Sequence, residues 1–235
     1  LSTGNYNPRT ARLYTDVGCL TADPEVAADV DAVFHRLASG APGAALRHLL
    51  CAPDAMHAQF MRLLGRVERA AREGRPARLV AKVNALTDPA LIEAVVEAGQ
   101  AGAHIDLIVR GACMLPPGRP GLTERIQVRS VVGRFLEHTR VLYFRWGDTP
   151  RDEVLYLSSA DWMSRNMFRR VETAWPVRDE RMRQRIIDEC LVPYLHDRRD
   201  AWTLGPDGQY APADGHGPSA QEALMRLHTP TLLER

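Results

Sequence analysis

The segment from Arg78 to Val109 constrains the fold most tightly, because strand, helix and strand follow one another there within about 30 residues. "RLVAKVN" is a short, largely apolar run rich in β-branched residues, the pattern of a buried strand. "DPALIEAVVEAGQAG" opens on Asp-Pro, a capping side chain followed by a residue whose fixed φ suits the first helical turn, and it closes on Gly. "HIDLIV" is a second strand. Two strands joined through a crossover helix lie parallel in one sheet. The runs "IQVRSVV", "RVLYFRW", "EVLYLSS" and "RVETAWPV" supply more strands, and "DERMRQRIIDECLVPYL" reads as one terminal helix. The expectation is a layered α/β domain on a mixed sheet.

Ahead of that unit the pattern is different. "STGNYNPRTARLYTD" (residues 2–16) is turn chemistry, since Gly and Asn tolerate left-handed backbone and Pro8 fixes its own φ. A turn normally joins two elements, so this one reads either as a loose tail or as the interior of something longer. Asp23-Pro24-Glu25 then caps a helix with Val26, Val30, Val33, Phe34 and Leu37 at helical spacing, which Gly40 ends. "SGAPGAALRHLL" is the best candidate for a domain boundary. A second helix runs from Asp54 through Phe60, Leu63, Leu64 and Val67 to Gly74. The last thirty residues, Gly/Pro-rich and short of core, read as loop. No internal repeat is present.

Composition excludes several classes. Hydrophobic residues make up 45% of the 235 and charged residues 25%, as in an ordinary globular protein, and the net charge of +1 gives no bulk argument for nucleic acid. No apolar run approaches the roughly 20 residues of a membrane span. The four cysteines (Cys19, Cys51, Cys113, Cys190) show no metal or disulfide spacing and suit a reducing cytoplasm. Lys82 is the only lysine beside 29 arginines. Codon usage accounts for such a bias; a surviving lysine can also mark a place where a compact ammonium fits and a planar guanidinium does not.

In an open α/β sheet ligands bind beyond the carboxyl ends of the strands. Those ends carry Lys82 and Asn84, then Arg110, then His138-Thr139-Arg140, then Ser158-Ser159-Ala160-Asp161. Cations with hydroxyls suit phosphate oxygens. In extended backbone His138 and Arg140 point to one face, and Glu137 or Asp161 is expected to hold a ring nitrogen of His138. A structural role for His138 is the plainer alternative, and the other seven histidines carry no ligand spacing. Arg165, Arg169 and Arg170 make a further basic patch, either a solvated helix start or part of the same anion site. Phosphate-loop, dinucleotide, zinc-protease, nucleophile-elbow and EF-hand motifs are absent.

Taken together and in order, "STGNYNPRTARLYTD", "LIVRG", "VVGRFLEHTR", "YLSSADWMSRN" and "RRVE" resemble the C-terminal half of bacterial polyphosphate kinases of the phosphohistidine type, with an echo in "AWTLGPDGQY". The resemblance covers Leu1 to about Leu195 and places the opening turn in the middle of a longer chain. It implies an α/β, phospholipase D-like domain with a mixed, mainly parallel sheet flanked by helices. Residues 1–48 would be the tail of a first catalytic domain, 49–205 a second one, and 206–235 a loop-rich tail. Residues 1–48 would then be poorly ordered alone or would borrow contacts from a neighbouring chain.

The implied activity is reversible transfer of the terminal phosphate of ATP to polyphosphate, with Mg²⁺ held mainly outside these residues. The phosphohistidine would lie upstream of Leu1, leaving this fragment inactive by itself. The partners would be ATP or ADP and polyphosphate, with no nucleic acid or membrane, in a homodimer or homotetramer. Residue by residue, the resemblance puts Tyr14 against adenine and Arg110 and His138 at the phosphates, with His138 as an acid/base or phosphate-stabilising partner. Asp16, Lys82, Arg140 and Arg169 are neighbours. Arg140 stands where the phospholipase D motif has lysine and Asp161 where it has asparagine, departures that weaken any reading of phosphodiester hydrolysis. A His138-dependent phosphodiesterase and a non-catalytic nucleotide- or polyanion-binding module remain the alternatives.

Overall fold

The computed structural model describes residues 1–40 and 45–229. A 3-10 turn (Thr10–Arg12), a two-residue strand β1 (Tyr14–Thr15) and helix α1 (Pro24–Ser39) come first, then β2 (Leu50–Ala52) and α2 (Met56–Arg72). The crossover unit is β3 (Arg78–Val83), α3 (Pro89–Gln100) and β4 (His104–Val109). Strands β5 (Ile126–Val131), β6 (Leu136–Glu137), β7 (Arg140–Arg145) and β8 (Glu153–Ser158) precede α4 (Ser164–Arg169) and β9 (Glu172–Pro176). Helices α5 (Glu180–Cys190) and α6 (Val192–His196), strands β10 (Ala201–Leu204) and β11 (Tyr210–Pro212), and helix α7 (Ala220–His228) complete the described chain.

Nine strands form one sheet in the order β11-β10-β5-β4-β3-β7-β8-β9-β2, while β1 and β6 pair in a separate parallel ribbon. The crossover unit is parallel as its sequence requires, Arg78 lying opposite His104 and Val83 opposite Val109. The sheet is mixed, but it is not mainly parallel: only β3-β4 and β4-β5 run parallel, and the other neighbours are antiparallel. The reason lies in the connections. No long helix separates β7, β8 and β9, so each turns straight back on the one before.

Alternation along the strands divides two apolar layers. Leu79, Ala81 and Val83 of β3 face one cluster with Phe60, Leu63, Leu64 and Val67 of α2 and Leu91 and Val95 of α3. Val80, Ile108, Val141 and Leu157 face a second cluster with Leu191 and Tyr194, covered by the N-terminal segment and the C-terminal helices. Each fully buried side chain of this size contributes about 1.5–3 kcal/mol. The helix expected over 179–195 breaks into α5 and α6 at Leu191, because Pro193 has no N–H to continue the ladder. Among the described residues no helix is long and apolar enough to cross a membrane.

Both chain ends differ from the sequence reading. Residues 206–229 are not simply loop: β11 closes a hairpin onto β10, which pairs with β5, and α7 buries Ala220 and Gln221. A boundary at 205/206 therefore falls inside that hairpin. At the front, Leu1, Val17, Cys19, Val26 and Val30 pack onto the second cluster of this same chain, although Leu20, Phe34 and Leu37 are 99%, 67% and 53% exposed. Of the proposed boundary stretch, residues 41–44 lie outside the described residues, as do 230–235.

One buried carboxylate joins α1 to the segment leading into β2. Asp29, 5% exposed, accepts from the backbone N–H groups of Arg47, His48 and Leu49. Burial pushes its carboxyl up, but the Leu49, Arg47 and His48 amides and the His48 charge outweigh that and hold the pKa below the ordinary value. Asp29→Ala is expected to lower the unfolding free energy by about 2 kcal/mol near neutral pH. The folded-state pKa lies below the unfolded one, so the difference is fully present above about pH 4 and is lost as pH falls through the folded value. Urea unfolding of both proteins near pH 7 and near pH 3 measures it.

Candidate functional site

The sheet topology gathers the four strand-end groups in one place. Asn84 follows β3 and Arg110 follows the parallel strand β4. On the other side of β3, the antiparallel strand β7 begins at Arg140, and Lys82 lies opposite Val141. Strand β7 in turn runs antiparallel to β8, placing Ser158 opposite Arg140 and bringing the Ser-Ser-Ala-Asp segment to the same end. A strand start and three strand ends thus meet because the direction reverses twice.

His138 sits between β6 and β7. Its Nδ1 is 3.0 and 3.1 Å from the two carboxylate oxygens of Asp16. A carboxylate there favours the tautomer with the proton on Nδ1 and leaves Nε2 a lone pair. The Tyr14 ring is tilted against the imidazole at 4.8 Å between centroids, and Arg140 Nη1 lies 3.2 Å from both ring nitrogens. His138 and Arg140 therefore converge as their spacing predicts. The carboxylate that holds the ring does not come from Glu137 or Asp161, as expected from their proximity in sequence, but from Asp16. It arrives through the β1-β6 ribbon, in which Thr15 pairs with Glu137. Thr15 fastens that approach: its hydroxyl accepts from the His138 amide at 3.2 Å, and its carbonyl accepts from Thr139 Oγ1 at 2.9 Å.

The other carboxylates have different partners. Asp161 takes Nε and Nη2 of Arg140 in a two-pronged pair at 3.2 and 3.0 Å, and its Oδ1 accepts from the Asn84 backbone N–H at 2.7 Å. Arg140 Nη1 donates to the Thr3 carbonyl at 2.8 Å. Both members are mostly buried, so removing either would leave an uncompensated charge, at about 3–5 kcal/mol. Asp88, at the start of α3, ties that helix to α4 and α2, accepting from Ser164 Oγ at 2.7 Å and lying 3.2 Å from His57 Nε2. Burial pushes the Asp88 carboxyl up, yet the Ser164, Leu91 and His57 hydrogen bonds and the His57 charge hold its pKa below the ordinary value.

Arg110 is the cation left available. Its Nε donates to Asn84 Oδ1 at 3.2 Å, while its terminal nitrogens have no partner among the described residues. Gly111 permits this closeness, because a Cβ there would stand 3.0 Å from the Asn84 carbonyl. Lys82, by contrast, is 2% exposed and lies behind the site, its ammonium 2.7 Å from Glu137 Oε2. Arg169 is exposed at the end of α4, and no contact joins it to His138 or Arg110 among the described residues. A cleft of about 350 Å³ opens beside Tyr14 and Asp16, walled by Phe135, Leu224, Met225 and His228. Sequence reasoning passed over Thr3, Thr15 and Gln221; each acts across more than eighty positions or through its backbone, and no local pattern marks them.

Known proteins share this arrangement of segments. Residues 49–223 match the family model described as polyphosphate kinase C-terminal domain 2, and residues 1–42 match polyphosphate kinase C-terminal domain 1. A polyphosphate kinase of Burkholderia multivorans is 50% identical over 210 residues, 89% of this chain and 30% of the relative. The crystal structure of the Porphyromonas gingivalis polyphosphate kinase superposes with a TM-score of 0.89 at 36% identity, over 97% of this chain and 35% of that one. A phospholipase D family member from Salmonella typhimurium aligns over 60% of this chain and 88% of its own at 12% identity and a TM-score of 0.41. This chain thus spans about a third of the length of the polyphosphate kinases it matches.

The opening turn is part of this site. A Cβ on Gly4 would stand 2.1 Å from Asp16 Oδ2, so Gly4→Ala is expected to push Asp16 off His138. Nitrogen-15 spectra of the imidazole should show the Nδ1–H tautomer dominant in the parent and diminished in the variant. An unchanged tautomer would refute the Asp16 assignment.

Proposed function

This chain belongs to the polyphosphate kinase family, and we propose that it forms the C-terminal part of an ATP:polyphosphate phosphotransferase. In this reading a histidine outside these residues takes the terminal phosphoryl group of ATP and hands it to the end of a polyphosphate chain, reversibly. A covalent intermediate splits one transfer into two, and most of the catalysis is positioning and charge stabilisation. Residues 1–48 belong to a first catalytic domain. The second begins at 49 and includes the β10-β11 hairpin.

The observation that carries this reading is the contrast between Arg110 and Arg140. Arg140 is committed on every side, whereas Arg110 keeps its terminal nitrogens free, linked through Asn84 to the segment of an imidazole that Asp16 orients. A free guanidinium fork and a tautomer-locked imidazole suit phosphate oxygens on a nucleotide. His138 steadies the transferring phosphoryl group or exchanges a proton at Nε2. Arg140 holds the His138 face in place. Tyr14 offers its ring to adenine at the mouth of the 350 Å³ cleft, whose Leu224 and Met225 walls suit a flat apolar base. Arg169, exposed on α4, gives a further cation for the anionic chain.

Magnesium enters as the counter-ion of the nucleotide. Among the described residues no group of three His, Cys, Asp or Glu side chains is placed to hold a metal, and Asp161 and Asp16 already face Arg140 and His138. In this reading its protein ligands lie mainly outside these residues, and none of the steps assigned to them runs through the metal. The intact protein is expected to be a cytoplasmic homo-oligomer.

In the full-length protein Arg110→Ala or His138→Ala is expected to cut ATP formation from polyphosphate and ADP at least about a hundredfold, with the fold retained. A luciferase assay reads this. Full activity in either variant would overturn the site, and hydrolysis of bis-p-nitrophenyl phosphate lost in His138→Ala would point to phosphodiester chemistry instead.

A further inference from the structure

The sole lysine is buried in the middle of a polar cluster that the transfer chemistry does not use. Lys82 Nζ lies 2.7 Å from Glu137 Oε2 and 3.6 Å above the centroid of the Tyr194 ring. Glu137, 3% exposed, is the point where four parts of the chain meet. It accepts from Lys82 of β3, from Thr15 Oγ1 of β1 at 2.9 Å and from Gln221 Nε2 of α7 at 2.6 Å, which ties its own strand β6 to three other elements. Gln221 also bridges the Phe135 backbone, its Oε1 accepting from the amide and its Nε2 donating to the carbonyl, both at 2.8 Å.

The sequence positions of these partners matter. Glu137 directly precedes His138, and Thr15 directly precedes Asp16. One carboxylate therefore fixes the backbone on both sides of the His138–Asp16 pair, and it does so away from solvent, where its own charge must be balanced. Lys82 supplies that balance. A compact ammonium fits between a carboxylate and a ring face, whereas a planar guanidinium needs more room, and the space around Lys82, Glu137, Arg110 and Thr139 holds no water-sized void. Among 29 arginines, this is a site that arginine does not fill.

We propose that Lys82 is a positioning residue: through Glu137, and with Gln221 of the C-terminal helix, it holds the β1-β6 ribbon so that Asp16 and His138 keep their geometry. It does not bind phosphate. The C-terminal helix is then part of the active-site framework through Gln221, whose amide is engaged by Phe135 and Glu137. This role rests on the phosphotransferase reading of the site.

The test uses the full-length enzyme with polyphosphate and ADP. Lys82→Met and Gln221→Ala are compared with the parent for kcat, for KM of each substrate and for thermal unfolding. Lys82→Met is expected to lower kcat by about ten- to a hundredfold, as misplacement of a reacting group does, with KM for ADP and polyphosphate within about threefold and no recovery in Lys82→Arg. Gln221→Ala is expected to lower kcat by a smaller factor with the same KM pattern. A KM rise that Lys82→Arg restores would make Lys82 a phosphate ligand and overturn the proposal. Unchanged kcat in a folded Lys82→Met does the same. If Lys82→Met does not fold, Gln221→Ala decides: a lower kcat at unchanged KM supports the framework and an unchanged kcat refutes it. If the parent itself makes no ATP, it is the phosphotransferase reading that fails.

Discussion

Strand β3 has a parallel neighbour, β4, on one side and an antiparallel neighbour, β7, on the other. A parallel neighbour brings its carboxyl end alongside that of β3, and an antiparallel neighbour brings its beginning. Asn84, Arg110 and the His138–Arg140 segment come together for that reason alone. The next reversal, from β7 to β8, adds Asp161. Without the change of direction at β3, the imidazole and the free guanidinium would lie at opposite ends of the sheet.

Gathering cations at one sheet end creates a problem that the carboxylates solve. Arg140 is buried and survives because Asp161 meets it with two oxygens. Lys82 is buried and survives because Glu137 meets it. Each pair costs desolvation that its Coulomb attraction largely offsets, so neither is a large source of net stability. What they supply is geometry. With those cations satisfied from within, Arg110, which shares Asn84 with the His138 carbonyl, keeps terminal nitrogens unpartnered among the described residues. The proposed chemistry depends on that selectivity more than on the number of positive charges.

The N-terminal segment belongs to the same set of contacts. Thr3, Gly4, Tyr14, Thr15 and Asp16 come from a stretch whose sequence reads only as turns. They reach the site because β1 lies in register beside β6. Segments that match two different family models therefore meet at a single histidine, one providing the imidazole and the other its carboxylate. The outward apolar residues of α1, Phe34 and Leu37, remain exposed.

Periodicity and capping determined the crossover unit, α1, α2, α3 and the strands β5, β7, β8 and β9, because burial on both faces and Asp-Pro caps leave local marks. Strand-end logic also placed Arg110, His138, Arg140 and Asp161 at one end of the sheet, where the structure has them, and the ordered motifs carried the family resemblance. Strand direction beyond β5 was not legible, since an apolar run looks the same in either orientation. Two- and three-residue strands such as β1, β2 and β6 have no period to detect. The hairpin β10-β11 and α7 were masked by the glycines and prolines around them. The pairing of His138 was the largest misreading: Asp16, placed near the site only by the resemblance, lies 122 positions away, and only the folded sheet decides which of several carboxylates reaches the ring. Sequence determined which residues can do chemistry, through side-chain type and local period. Tertiary structure decided which charges are consumed in pairs and which stay free, because that depends on distances no local pattern encodes.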